Sequence, residues 1–305
     1  MRRLVVVAAM VGGLLAGCTS SSKPHATPAP SSAPPASTSV AEATPTQTIS
    51  ATPTRPPTIT PPPLASRSAN RAPSPPVSLP PASFPAGSGP LIVLNPGHNG
   101  ANGSHPSEIN RLVPADRQGN LKACDTTGTN TNAGYSEHAF NWDVTLRVRA
   151  LLQARGVRVV LTRPDDFGVG PCVDARAAVG NHAGVAAVIS IHADGAASGG
   201  HGFHVCEDSG QPAGAAVAAQ SHRLTVAVHD ALLNGSGLTT STYLGSNGYF
   251  PRADLAALNL ATGPSTFLEL GNMRNAGDAA LQSSPAGRAR VAAAVSAGIL
   301  AFLGR

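Results

Sequence analysis

The sequence predicts an α/β fold: a single domain built on a mostly parallel, twisted sheet flanked by helices, preceded by a disordered tether rich in Pro, Ser, Thr and Ala. Two observations carry this expectation. Beyond about residue 90, short apolar runs of strand length alternate with stretches of helical periodicity, the order of a parallel sheet covered on both faces. Before that point, residues 19 to 90 hold 19 of the 28 prolines and almost no aromatic residue, too little apolar surface to offset the entropy of ordering a chain.

The elements follow in order. Met1 to Cys18 opens on Arg2 and Arg3, runs apolar from Leu4 to Leu15 and closes on Ala16 and Gly17, the layout of an export signal. The apolar run is shorter than the roughly 20 residues a spanning helix needs. Leu15-Ala16-Gly17-Cys18 resembles the bacterial lipoprotein box, which implies that Cys18 becomes the acylated first mature residue; ordinary cleavage nearby, with Cys18 incidental, is the alternative. The predicted organisation is a signal over 1–17, a tether over 18–89 and a folded domain over 90–305. As a flexible coil such a tether spans on the order of 45 Å, and as polyproline helix it approaches about 200 Å.

Within the domain, Leu91 to Leu94, Val157 to Leu161, Ala187 to Ile191 and Thr266 to Leu270 read as buried strands, the first ended by Asn95-Pro96-Gly97. Phe140 to Arg155, with apolar Phe140, Val144, Val148, Leu151 and Leu152, reads as a helix closed by Gly156. Val173 to Ala183, Val217 to Leu233 and Pro285 to Leu303 read likewise. Asn99 to Ser136 is a long Asn, Gly and Thr-rich connection, predicted to be a structured flap beside a site.

Charge excludes some functions. The formal net charge is +5, and loss of Arg2 and Arg3 with a signal leaves +3, with basic residues scattered and no aromatics interleaved among them. That is no footprint for nucleic acid. Export permits a disulfide, and Cys124 with Cys172 is the expected pair, since both lie in loop-like sequence whereas Cys206 ends the strand-like run Gly202-Phe203-His204-Val205. Three unpaired small hydrophobes is the alternative.

Catalysis in open α/β sheets collects at the carboxyl ends of the strands. His98 follows the first strand, His192 follows another in Ser190-Ile191-His192-Ala193-Asp194, Glu269 ends Phe267-Leu268-Glu269, and Glu137 opens the first helix. Two imidazoles and one carboxylate match the ligand count of a hydrolytic zinc site with an open fourth position, leaving the second carboxylate as a base. A satisfied polar role is the alternative for each residue taken alone.

These residues together resemble the zinc-dependent N-acetylmuramoyl-L-alanine amidases of the Amidase_3 type, which cut peptidoglycan. The resemblance spans about residues 91 to 303. It rests on Leu91 to Gly100, Gly134 to His138, Leu161-Thr162-Arg163, Ser190 to Asp194 and Phe267 to Met273, and the flap with Cys124 and Cys172 is similar to the compact mycobacterial branch. It implies that His98, Glu137 and His192 are the zinc ligands and Glu269 the catalytic glutamate. Asn95 stands where that family commonly has aspartate; read as an acceptor for the ligand histidine, it predicts weaker orientation of His98.

Asp194, His201 and Arg252 are the expected further lining of the site, with a surface pair to Asp254 as the alternative for Arg252. Solvent or packing roles are expected for His105, His138, His182, His204, His222 and His229, and bracing of loops for Arg163 and Arg176. The resemblance implies a peptidoglycan or muropeptide substrate and an enzyme at the outer face of the membrane or in the wall; the lipoprotein box implies anchoring to the membrane by lipid, and with no activator-binding insertion identifiable the enzyme is expected to be a monomer active without a partner protein. The competing readings are a different zinc hydrolase of wall material and a catalytically silent or restrained peptidoglycan-binding lipoprotein.

Overall fold

A computed structural model describes residues 83–305. The export signal, Cys18 and the tether up to residue 82 lie outside the described residues. In chain order the elements are β1 (Leu91–Pro96), a 3-10 turn (Asn102–Ser104), α1 (Pro106–Ile109), β2 (Leu112–Pro114), β3 (Leu121–Ala123), α2 (Glu137–Gln153), β4 (Arg158–Leu161), α3 (Val173–Gly180), β5 (Val185–Asp194), β6 (His204–Cys206), α4 (Ala215–Gly235), α5 (Ala256–Asn259), β7 (Ser265–Asn272), α6 (Ala276–Ser283) and α7 (Pro285–Phe302). The central sheet has the order β4-β1-β5-β7-β6; the first four strands are parallel, and β6 closes one edge antiparallel to β7.

β1 is buried along its whole length, as a strand covered on both faces must be. Ile92 and Leu94 enter the main core with Phe140 and Val144 of α2, Leu224 and Val228 of α4, and Val295 and Ile299 of α7. Leu91 and Val93 point the other way, onto Val160, Val188 and Val179 of α3. α4 and α7 approach closely because Gly298 has no side chain; a Cβ there would lie 2.5 Å from the Val228 Cα. None of the described helices is long and apolar enough to cross a membrane.

Three departures from the sequence expectations have physical reasons. Packing begins before residue 90: Phe84 joins the cluster of Leu91 and Val93 and stacks on His182 at 3.7 Å, while Arg158 donates to the Gly89 and Pro85 carbonyls at 2.7 and 2.9 Å. An aromatic ring supplies the apolar area that the Pro and Ser-rich run before it lacks. The second departure is α6, eight residues started by Asn275, whose side chain accepts from the Gly277 and Asp278 amides. The third is α5, a single turn too short for periodicity to reveal.

The long connection is structured. It holds the 3-10 turn, α1 and the antiparallel β2–β3 hairpin, and a disulfide joins Cys124 to Cys172 at the start of α3. Closing a loop of 48 residues stabilises by about 4 kcal/mol in the chain-entropy model. Cys206 is buried with a free thiol.

Candidate metal centre and cleft

β1 stops at Pro96, and the chain turns through Gly97 into His98, whose φ is +59°. A non-glycine residue in this left-handed region costs on the order of 1–3 kcal/mol and persists only where its surroundings enforce it. They do so here. The Gly97 amide donates to the Ile191 carbonyl at 3.0 Å, and Arg176 donates to the Pro96 and His98 carbonyls at 2.6 and 2.9 Å. Arg163 adds a bond to the Pro96 carbonyl at 3.1 Å, and both guanidinium groups are buried. The two arginines thus brace the loop that carries His98.

Glu137, the first residue of α2, is fixed by backbone amides. Its Oε2 accepts from Thr129 at 2.9 Å and its Oε1 from Ala193 at 3.3 Å. The same Oε1 lies 3.1 Å from His98 Nε2 and 3.0 Å from His192 Nδ1. One donor atom from each of the three residues falls within 4.8 Å of the others.

The tautomer of His98 makes this arrangement informative. Its Nδ1 sits 3.2 Å from Asp125 Oδ1 and 3.1 Å from the Thr126 carbonyl, two acceptors that claim a proton on that nitrogen. A neutral His98 then aims the Nε2 lone pair at a carboxylate, and two acceptors at 3.1 Å repel unless a cation lies between them. Burial opposes a positive charge on His98, but Glu137 and Asp125 push its pKa up to about 10. Burial resists ionisation of Glu137 too, yet the two histidines hold its carboxyl well below the usual range. Burial lowers the His192 pKa, and Glu137 opposes that only in part. The His192 ring stacks on Phe267 at 4.3 Å, which sets its plane.

Glu269 lies beside His192 in the β5–β7 register and opposite His204 in the β6–β7 register. Its Oε2 is buried without a hydrogen-bond partner. Burial, followed by repulsion from Glu137 and Asp194, raises its pKa well above the ordinary carboxylate value. Two carboxylates in one cleft are therefore driven apart, Glu137 towards the charged form and Glu269 towards proton transfer. The cleft has a volume of about 420 Å³, lined by His98, Glu137, His192 and Glu269 together with the Thr126 to Thr129 segment and Leu255 to Ala257. Gly128 lets that segment pass close by; a Cβ there would lie 2.7 Å from both Glu137 Oε2 and His98 Cδ2.

Of the further residues the sequence suggested, Asp194 lines the cleft. His201 does not: its Nδ1 is engaged with Thr239 Oγ1 at 3.1 Å, away from the cleft lining. Arg252 is also outside that lining, because Asp254 two residues on takes its Nε and Nη2 at 2.6 and 2.5 Å. His138 turns to Asp166 at 2.8 Å. Asn95 needs a correction as well. It does not touch His98; its side chain bonds Ser190 and Thr162 at 3.0 and 2.7 Å within the sheet. Asp125 accepts from His98 instead, a residue that sequence reasoning passed over although it directly follows Cys124.

Comparison with known proteins agrees with this geometry. The family model Amidase_3, described as N-acetylmuramoyl-L-alanine amidase, matches residues 92–301. Over 215 residues, 70% of this chain and 87% of its relative, the sequence is 45% identical to the N-acetylmuramoyl-L-alanine amidase Rv3717 of Mycobacterium tuberculosis. The crystal structure of the N-acetylmuramyl-L-alanine amidase Ami1 from Mycobacterium smegmatis superposes with a TM-score of 0.67 at 47% identity, covering 71% of this chain and 98% of that one. The apo form of Ami1 from Mycobacterium abscessus gives 0.67 and 47%, covering 71% and 99%.

Proposed function

This chain belongs to the Amidase_3 family and is a peptidoglycan N-acetylmuramoyl-L-alanine amidase; we propose that its hydrolysis depends on a zinc ion held by His98, Glu137 and His192, with Glu269 moving the proton. The observation that carries the reading is the convergence of His98 Nε2 and His192 Nδ1 on one oxygen of Glu137, at 3.1 and 3.0 Å, beside an unpartnered Glu269 Oε2. Two nitrogens and a carboxylate oxygen fit zinc, and an acceptor aimed at an acceptor calls for a cation.

When bound, zinc supplies Lewis-acid charge that polarises the scissile carbonyl and acidifies water. The chain's own residues do the rest. Phe267 beneath His192 holds that ring in the plane its nitrogen needs. Glu269 is assigned removal of a proton from the water that attacks the lactyl carbonyl of muramic acid. It then delivers the proton to the departing alanine nitrogen, because an amine leaves readily only when protonated. The free Oε2 is available for both transfers.

A wall amidase works outside the cytoplasm, and we read residues 1–17 as its export signal, Cys18 as its lipid anchor and the following segment as a tether that reaches into the wall. Labelling with a fatty-acid probe checks the anchor: label on the wild type and none on Cys18→Ala is expected. The metal is tested by elemental analysis of the purified chain. One zinc per chain, lost together with amidase activity in His98→Ala and His192→Ala, is expected; full activity after exhaustive removal of metal contradicts the reading.

A further inference from the structure

We propose that Asp125, gripped by Arg176 and stapled in place by the Cys124–Cys172 disulfide, is the positioning residue that orients His98 for the metal, so that the disulfide helps to set how tightly the metal is kept. The inference rests on the zinc reading above and concerns residues to which that reading gives no separate part.

The geometry is a closed ring of contacts. Asp125 Oδ1 faces His98 Nδ1 at 3.2 Å and is itself held by the Thr126 amide at 2.7 Å. Its other oxygen, Oδ2, accepts from Arg176 Nη2 at 3.1 Å. The same guanidinium group donates to the His98, Pro96 and Pro171 carbonyls at 2.9, 2.6 and 2.7 Å. Arg176 therefore touches the backbone of the ligand histidine and the carboxylate that sets its ring. Asp125 and Arg176 are only 6% and 3% exposed, so neither group finds compensation in water if the other is removed.

The disulfide closes this ring through the backbone. Cys124 immediately precedes Asp125, and Cys172 immediately precedes α3, which carries Arg176. The Val173 amide donates to the Cys124 carbonyl at 2.8 Å and the Arg176 amide to the Cys172 carbonyl at 3.0 Å, so the covalent bridge runs beside two backbone bonds. Asp125 otherwise belongs to a long surface connection between β1 and α2, where loss of the staple leaves weaker restraints on its position. A carboxylate that fixes the tautomer and plane of a ligating imidazole typically changes metal affinity by about 10- to 100-fold when it is removed. Here the carboxylate is held by the Arg176 guanidinium, and the residue just before it is held by the disulfide.

The test is the zinc dissociation constant of the full chain, measured by competition with a chromophoric chelator, for the wild type, Asp125→Asn and the double substitution Cys124→Ala with Cys172→Ala. The cysteine pair is replaced rather than reduced because free thiolates bind zinc themselves. Thermal unfolding of each metal-free protein runs alongside, since a purely structural role shifts that transition without changing the affinity of the molecules that remain folded. Expected are a weakening of about 10- to 100-fold for Asp125→Asn and a smaller weakening in the same direction for the cysteine pair. Wild-type affinity, within twofold, in both variants overturns the proposal while leaving the zinc reading intact. Failure of the wild type itself to take up one zinc overturns both. Should Asp125→Asn not fold, the cysteine pair decides alone.

Discussion

Gly97→Ala puts a single methyl group where the structure has no room for it. An ideal Cβ at Gly97 lies 2.0 Å from His192 Cε1 and 2.4 Å from both ring nitrogens. Ordinary carbon contacts are about 3.5 Å or more, so the ring and the loop must part by roughly 1.5 Å. The loop is poorly placed to yield, because the Gly97 amide is bonded to the Ile191 carbonyl and the flanking Pro96 and His98 carbonyls are gripped by Arg163 and Arg176. The His192 ring therefore moves off Phe267, taking Nδ1 out of register with Glu137. Overpacking of this kind costs about 1–3 kcal/mol, a fall in Tm of roughly 2–12 °C for a domain of this size. A displacement above about 1 Å at a reacting centre costs on the order of 100-fold in rate. The assay pairs thermal unfolding with zinc content and amidase turnover, with Gly199→Ala, where a Cβ meets nothing within 4 Å, as the control. Wild-type zinc content and turnover in Gly97→Ala would refute the reasoning.

Two further outcomes follow from buried titratable groups. Burial, with the nearby Glu269 charge, pushes the Cys206 thiol up to about 12, so peptide mapping should find Cys206 unmodified by iodoacetamide at pH 8 in the native protein and alkylated after denaturation. Burial also depresses the His204 pKa from 6.5 to about 4, with Asp194 opposing. The unfolded chain then takes up the proton first on acidification, so the stability this group contributes is complete above about pH 6.5 and is lost as the pH falls towards 4. Between pH 7 and pH 5 the loss is about 2 kcal/mol, and urea unfolding should show that increment vanish in His204→Phe. An unchanged pH slope in that variant would remove His204 as its source.

What could be read from the sequence depended on how local each cause was. The parallel strands were legible because burial on both faces writes a continuous apolar run, as in Leu91 to Leu94 and Ala187 to Ile191. α5, with four residues, is shorter than any period that could betray it as a separate element. His98, His192 and Glu269 could be considered together because they fall just after or in the carboxyl half of strands that the pattern located, and Glu137 because it stands shortly before the first long helical pattern. Proximity in sequence to the site says nothing of Thr239 or Asp254, which bond the polar groups of His201 and Arg252. Asp125 was missed for the opposite reason: it reaches His98 from a long connection that backbone bonds, the disulfide and Arg176 hold against the end of β1. Asn95 was credited with that task because it stands where the resembled family commonly has aspartate, whereas strand alternation turns its side chain onto Ser190.

Mass spectrometry of defined muropeptides tests the central claim most directly, with the enzyme supplied with zinc, stripped by chelator, and carrying Glu269→Gln. Zinc-dependent release of free stem peptide beginning at L-alanine, reduced by a factor on the order of 100 or more in Glu269→Gln although that variant binds zinc as the wild type does, is the expected result. Equal release by the variant, or by the metal-stripped enzyme, would contradict the account.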